Sequence, residues 1–205
     1  MDNIQVVVFD CDGVMFETKE ANMAYYNQIL KFFNKPPLNR EQSEYAFMHT
    51  ADATLSHLFD DEETLGKARD YRKKLGYLPF INLMKEDPYL KPLLQKLKPR
   101  YKTAVAKNRA DTMVHVIKIH GLEGLFDLVV TALDVNNPKP HPESLIKILE
   151  HFKASPNEAI YIGDSELDEK AARDAGVYFV SNNNKSLNAD FHIESLKEME
   201  ALLLN

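Results

Sequence analysis

The apolar positions open with an unbroken β-branched run. Residues 4–9 (IQVVVF) predict a short strand buried on both faces, cut off by polar residues and Gly13. The period then changes. Ala21, Ala24, Tyr25, Ile29, Phe32 and Phe33 fall at helical spacing until Pro36 and Pro37 stop the pattern. Helix-like sequence continues from Arg40 to about Leu78 with no convincing strand, so residues 15–85 form a helical island. Beyond it strands and helices alternate. Helices are expected at 88–98, 111–120, 143–152, 166–175 and 194–204, and strands at 102–106, 128–131, 159–162 and 177–180. Strands separated by helices of about ten residues indicate a parallel sheet covered on both faces. The expected fold is an α/β, Rossmann-like core of residues 1–14 and 86–205, interrupted by a helical domain at 15–85.

Composition narrows the class without naming a function. The 205 residues carry 31 acidic against 25 Lys and Arg side chains, a formal charge of −6, with 44% hydrophobic and 27% charged residues. This is ordinary globular composition. The acid excess gives no electrostatic reason to expect nucleic acid as a partner. The longest apolar runs are too short to span a bilayer, and no basic segment leads into a long apolar stretch at the start. Cys11, the single cysteine, cannot form an internal disulfide, which fits a reducing cytoplasm. The expectation is a cytoplasmic protein without membrane partners, a monomer or weak homodimer.

Ligands of open parallel sheets sit beyond the carboxyl ends of the strands, and four such ends carry distinctive residues. Asp10 and Asp12 flank Cys11 and precede Gly13, so two carboxylates lie on one side of an extended chain. Such a pair can divide labour between attack or metal binding and proton transfer; Asp and Gly also suit a cap or turn. Lys107, Asn108 and Arg109 follow the second strand, just before a helix starting near Asp111. Amides at such a start can hold an anion, which makes these three candidate anion-binding residues, to be read as phosphate-binding only with the resemblance below; a plain strand-to-helix loop also accounts for them. Lys139 lies in the segment NPKPHP, held extended by its prolines. Asp164 and Asp168 fall on one face as a helix begins after Gly163, where they can cap it or supply oxygen ligands to Mg²⁺.

The order and spacing of Asp10-Cys11-Asp12-Gly13-Val14, Lys139 and Gly163-Asp164-Ser165 with Asp168 resemble the first, third and fourth motifs of the haloacid dehalogenase superfamily. The resemblance covers essentially the whole chain. The helical island is similar to the inserted cap of phosphoglycolate phosphatases and β-phosphoglucomutases, whose closure would exclude water. The resemblance implies a phosphomonoester hydrolase acting on a small phosphorylated metabolite, phosphoglycolate-like by first guess. Asp10 would take the phosphoryl group as an aspartyl-phosphate. Asp12 would protonate the leaving oxygen and then activate water. Asp10, the Asp12 carbonyl and Asp164, with Asp168 in or next to the shell, would hold Mg²⁺, and Lys139 would screen the charge. Asp12 also argues against dehalogenation, since dehalogenase-like members lack that second aspartate.

Two departures from the family pattern matter. The second motif ordinarily ends its strand with Ser or Thr, whereas here the strand delivers Lys107 and the hydroxyl of Thr103 lies too early. Lys107 is expected either to bind phosphate as a point charge or to fold back onto Asp10 and occupy the phosphate site. The second outcome implies an impaired, phosphate- or partner-binding protein as the alternative function. Asn22 stands where phosphohexomutases of the group carry His, which favours hydrolysis over mutase chemistry. Elsewhere, His115 and His120 are five apart and do not share a helical face, so they do not suggest zinc. Tyr25, Tyr26, Phe32 and Phe33 are expected to pack the cap, and Arg69, Arg72, Lys73 and Lys74 to form a solvated helix face.

Overall fold

A computed structural model of the chain describes residues 3–108 and 112–204, with the side chain of Met48 also left aside. The chain divides into two compact units: Met1–Glu17 with Glu86–Asn205, and Thr18–Lys85. Among the described residues no helix is long and apolar enough to cross a membrane.

The first unit is built on β1 (Val6–Phe9), β4 (Lys102–Lys107), β5 (Leu128–Thr131), β6 (Ala159–Gly163), β7 (Tyr178–Asn182) and β8 (Phe191–Ile193), all parallel in the order β5-β4-β1-β6-β7-β8. The strand order reverses at β1, the arrangement that opens a crevice beyond the strand ends. β1 is buried at every position because it has a strand on each side and helices over both faces. One face carries Val6, Val8, Ala104, Ala106 and Tyr161 against Leu145, Ile148, Ala171 and Ala172 of α7 (Glu143–Phe152) and α8 (Glu166–Ala175). In α5 (Leu90–Leu97), Leu90, Leu93, Leu94 and Leu97 repeat at helical spacing and are fully buried. The seven-residue α6 (Met113–Ile119) completes the early crossovers. Two short strands, β2 (Phe16–Glu17) and β3 (Lys85–Glu86), pair with each other.

The second unit consists of α1 (Lys19–Phe32), α2 (Arg40–Met48), α3 (Ala51–Leu58), α4 (Glu62–Leu75) and a 3₁₀ turn at Leu78–Leu83. Side chains of Asn39, Thr50 and Asp61 accept hydrogen bonds from the first turns of α2, α3 and α4, which explains why the helix-like stretch breaks into three pieces. Tyr25 packs edge-on against Tyr26 and Phe80 inside this unit. Phe32 differs from expectation: it is 58% exposed and stacks on Tyr71 at 3.8 Å, pairing with a surface ring. Arg69 is held by both oxygens of Asp52 at 2.8 and 3.0 Å.

The C-terminal stretch corrects the expected helix over 194–204. Ser195 accepts from the Lys197 amide and starts a 3₁₀ turn, Leu196–Glu198, before the five-residue α9 (Met199–Leu203). β8 precedes it as an edge strand too short and too mixed in polarity to reveal itself by alternation.

Candidate active site

β1 ends at Asp10, whose amide donates to the Ile162 carbonyl of β6 at 2.8 Å, so the nucleophile candidate is fixed by the sheet itself. Asp10 is 2% exposed. Lys139 reaches it from a neighbouring loop: its ammonium donates to Asp10 Oδ1 at 2.6 Å, Asp168 Oδ1 at 2.6 Å and the Tyr161 hydroxyl at 2.7 Å. The Tyr161 hydroxyl in turn donates to Asp168 Oδ1 at 2.6 Å. A buried ammonium and two buried carboxylates are thereby paired and hydrogen-bonded, the condition under which such charges are tolerated inside a protein.

The loop carrying Lys139 is tied down by Asn108. Its carboxamide donates to the Lys139 carbonyl at 2.8 Å and accepts from the Lys139 amide at 2.9 Å. Asn108, expected beside a phosphate, uses both ends of its side chain to position the lysine. Arg109 and the helix start near Asp111, the other parts of that expected anion site, lie outside the described residues. Lys107 does fold back. Its ammonium lies 3.0 Å from Asp12 Oδ2 and 3.4 Å from Asp10 Oδ2. The Thr103 hydroxyl is spent inside the strand, donating to the Leu125 carbonyl at 2.9 Å.

Asp164 follows β6 and faces the first motif at close range. Gly13 adopts φ +75°, and a Cβ there would lie 1.8 Å from Asp164 Oδ2, so only glycine leaves that carboxylate its place. Gly163 is constrained likewise, since a Cβ would lie 2.4 Å from the Cβ of Asp168. Asn182, at the end of β7, donates to the Gly13 carbonyl at 2.8 Å, and Asn184 donates to the Asp164 carbonyl at 2.9 Å. The side chains of Asn182 and Asn184 therefore pin both loops.

Ligand atoms of Asp10, Asp164 and Asp168 all lie within 4.8 Å of one another. Three carboxylates around one point, with a glycine cradle leaving room, are a donor set suited to a hard cation such as Mg²⁺. The three are not equivalent. Asp168 Oδ1 already accepts from Lys139 and Tyr161, and its Oδ2 accepts from the Ser165 hydroxyl at 2.5 Å and from the amides of Asp164 and Ser165. Asp168 thus orients its neighbours, and Asp10 and Asp164 are the better placed to give oxygens to a cation.

Proton affinities follow these surroundings. Burial, reinforced by the charges of Asp10 and Asp168, raises the Asp164 carboxyl to about 7. Burial also pushes Asp10 up, and Lys107 and Lys139 offset this only in part. For Asp168, burial is outweighed by the charge of Lys139 and by hydrogen bonds from Lys139, Ser165 and Tyr161, which bring it down to about 2. Burial would lower Lys139, but Asp10 and Asp168 win and raise it.

A stability profile follows for the metal-free protein. Between the ordinary aspartate value of 3.8 and about 7, folded Asp164 keeps a proton that the unfolded chain has lost. That stability is present in mild acid and disappears as pH rises through about 7. Asp168 acts oppositely, losing its contribution only as pH falls from 3.8 towards about 2. In EDTA, the melting temperature is expected to fall by about 3 °C or more between about pH 5.5 and pH 8. Asp164→Asn should remove much of that slope in calorimetric scans; an unchanged slope would remove Asp164 as its source.

Tyr161 is the main site residue that sequence reasoning passed over. A hydroxyl in the otherwise apolar run Ala159–Gly163, three residues before Asp164, was the available signal.

Comparison with known proteins agrees with this geometry. The family model described as haloacid dehalogenase-like hydrolase matches residues 7–181. Pyrophosphatase PpaX of Bacillus cereus (strain B4264) is 27% identical over 212 residues, covering 98% of this chain and 97% of that protein. A crystal structure of a subfamily IA HAD-superfamily hydrolase from Geobacter sulfurreducens PCA is 37% identical, covers 98% of this chain and 97% of its own, and superposes with a TM-score of 0.88. β-Phosphoglucomutase from Clostridium difficile shares the fold, with TM-score 0.76 at 19% identity over 96% of this chain and 93% of its own. With its strand-end aspartates, buried lysine and matched length, the chain belongs to the haloacid dehalogenase-like hydrolases and is an enzyme of the phosphatase type.

Proposed function

We propose that this hydrolase is a Mg²⁺-dependent phosphomonoesterase for a small phosphorylated metabolite, working through Asp10. The observation that carries the reading is Asp10 itself, held by Lys139 at 2.6 Å within 4.8 Å of oxygens from Asp164 and Asp168. Asp10 and Asp164 would hold Mg²⁺ together with the Asp12 carbonyl, and Asp168 would fix both Lys139 and the start of α8. Bound there, the cation would offset the repulsion between a carboxylate and a phosphate dianion and polarise the phosphoryl oxygens.

The protein's own groups then divide the work. Asp10 attacks phosphorus through a carboxylate oxygen, the P–O bond to the leaving group breaks, and Asp12 gives the leaving oxygen its proton. Asp12, now a base, takes a proton from water as that water attacks the aspartyl-phosphate, releasing inorganic phosphate and restoring Asp10. Lys139 screens charge throughout from a fixed position. Thr18–Lys85 is the cap of this enzyme and the remaining residues are its catalytic core. Asn22, whose side chain accepts from the Tyr77 hydroxyl at 2.6 Å, supports hydrolysis over mutase chemistry. A cytoplasmic location and a monomer or weak homodimer complete the proposal.

Phosphate release from a panel of phosphorylated metabolites, with Mg²⁺ and with excess EDTA, tests it. Phosphoglycolate-like monoesters head the panel, and inorganic pyrophosphate joins it because relatives bear the name pyrophosphatase. EDTA-sensitive turnover of at least one compound is expected. No turnover of any, with phosphate still bound, favours the second reading: a phosphate-binding protein whose Lys107, already seated on Asp10 and Asp12, blocks catalysis.

A further inference from the structure

The two lysines of the site are held very differently. Lys139 has three short hydrogen bonds of 2.6–2.7 Å and a side chain 4% exposed. Lys107 has longer contacts, 3.0 Å to Asp12 Oδ2 and 3.4–3.5 Å to the oxygens of Asp10, with a side chain 12% exposed. β4 and β1 are in register at Val105 and Phe9, so Lys107, two residues further, projects on the same side as Val105, beyond the end of β1. The backbone thus aims a flexible four-carbon stem at the carboxylate pair, where it meets Asp10 at longer range than Lys139 does.

Charge gives that second ammonium a task. Asp10, Asp12, Asp164 and Asp168 carry four carboxylates, and Lys107 and Lys139 supply two ammonium groups. A divalent ion entering between Asp10 and Asp164 meets the fixed charge of Lys139 and the movable charge of Lys107. Like charges a few ångströms apart repel strongly in a partly desolvated site, and of the two ammonium groups Lys107 has the longer contacts to Asp10 to give up.

We propose that Lys107 is a built-in counter-cation that competes with the divalent ion for Asp10: it holds Asp10 and Asp12 together in the metal-free protein and is displaced when the ion binds. The device rests on the reading of Asp10 and Asp164 as cation ligands. Its consequence is a metal affinity set by this side chain, so that the enzyme is loaded only above a higher Mg²⁺ concentration than its carboxylates alone would require. Once displaced, the ammonium remains within a side-chain swing of the oxygens of an incoming phosphoryl group.

Isothermal titration with Mg²⁺ alone, at about pH 8 so that Asp164 is ionised, compares the unmodified protein with Lys107→Met, Lys107→Gln and Lys107→Arg. Met and Gln, which remove the charge, are expected to tighten Mg²⁺ binding by about tenfold. Arg, which keeps the charge, should stay within about threefold of the parent. In EDTA the two neutral variants should melt below the parent, and saturating Mg²⁺ should close that gap. Neutral variants that bind Mg²⁺ no more tightly than the parent overturn the competition. Asp164→Asn separates the levels: if it binds Mg²⁺ as well as the parent, the cation-ligand reading falls. Even then, a Lys107→Met protein melting at or above the parent in EDTA removes the counter-cation role independently.

Discussion

Asp10→Asn is expected to lower phosphate release by at least about 10⁴-fold while leaving a folded protein. The amide is nearly isosteric with the carboxylate, and Lys139 keeps its bonds to Asp168 and Tyr161, so the scaffold under the site persists. What disappears is the oxygen able to form the covalent intermediate, at a position fixed by the Ile162 carbonyl and buried in the sheet. The loss should fall on kcat with a far smaller change in KM, because recognition of the leaving group does not pass through Asp10. Steady-state assays on whichever panel compound turns over best provide the check. A variant retaining a tenth of the parent rate would transfer the attack from Asp10 to water and end the aspartyl-phosphate proposal.

Removing the lysine beneath it should be felt first as instability. Lys139→Met takes one ammonium from a cluster in which Asp10 and Asp168 are both almost wholly buried. Truncating one member of a buried ionic cluster costs about 3–5 kcal/mol, chiefly because the partners remain as uncompensated charges. Against a typical total of about 5–15 kcal/mol, this is a large share of the whole. Urea unfolding at neutral pH should show the loss as a lowered midpoint. The double variant Lys139→Met with Asp168→Asn should lose less than the sum of the two single changes, since each then relieves the other. Strict additivity would mean that the 2.6 Å contacts contribute no coupling and that Lys139 serves catalysis alone.

Much of the architecture was legible because the elements that carry it are strongly patterned. The strand expected at 128–131 and the helices at 143–152 and 166–175 coincide with β5, α7 and α8, where apolar spacing and an end signal such as Gly176 agree. Elements at the margin were less readable. β2, β3 and β8 are two or three residues long, too short for any period, and exist because a neighbouring strand offers partners. The same division runs through the site. Asp10, Asp12 and Asp164 announce themselves as polar groups that follow apolar runs, and Lys139 by the prolines on either side of it. Tyr161 does not, since a tyrosine in a strand reads as core until the loop bearing Lys139 is brought over it. Asn108 was noticed for its position, but its bond to the Lys139 main chain joins residues 31 apart and leaves no trace in local sequence.

The placement of β1 at the middle of the sheet also sets a timetable for the newborn chain. Val6 pairs with Lys102 on one side and with Ala159 on the other, and both partners are made long after it. A strand as apolar as Val6–Phe9 must therefore wait, unpaired on both edges, while the whole helical unit and most of the core emerge. Such non-local pairing slows folding and leaves a sticky segment exposed meanwhile. Thr18–Lys85, built of helices with local contacts, is positioned to fold during that interval, before β6 exists to close the sheet around β1.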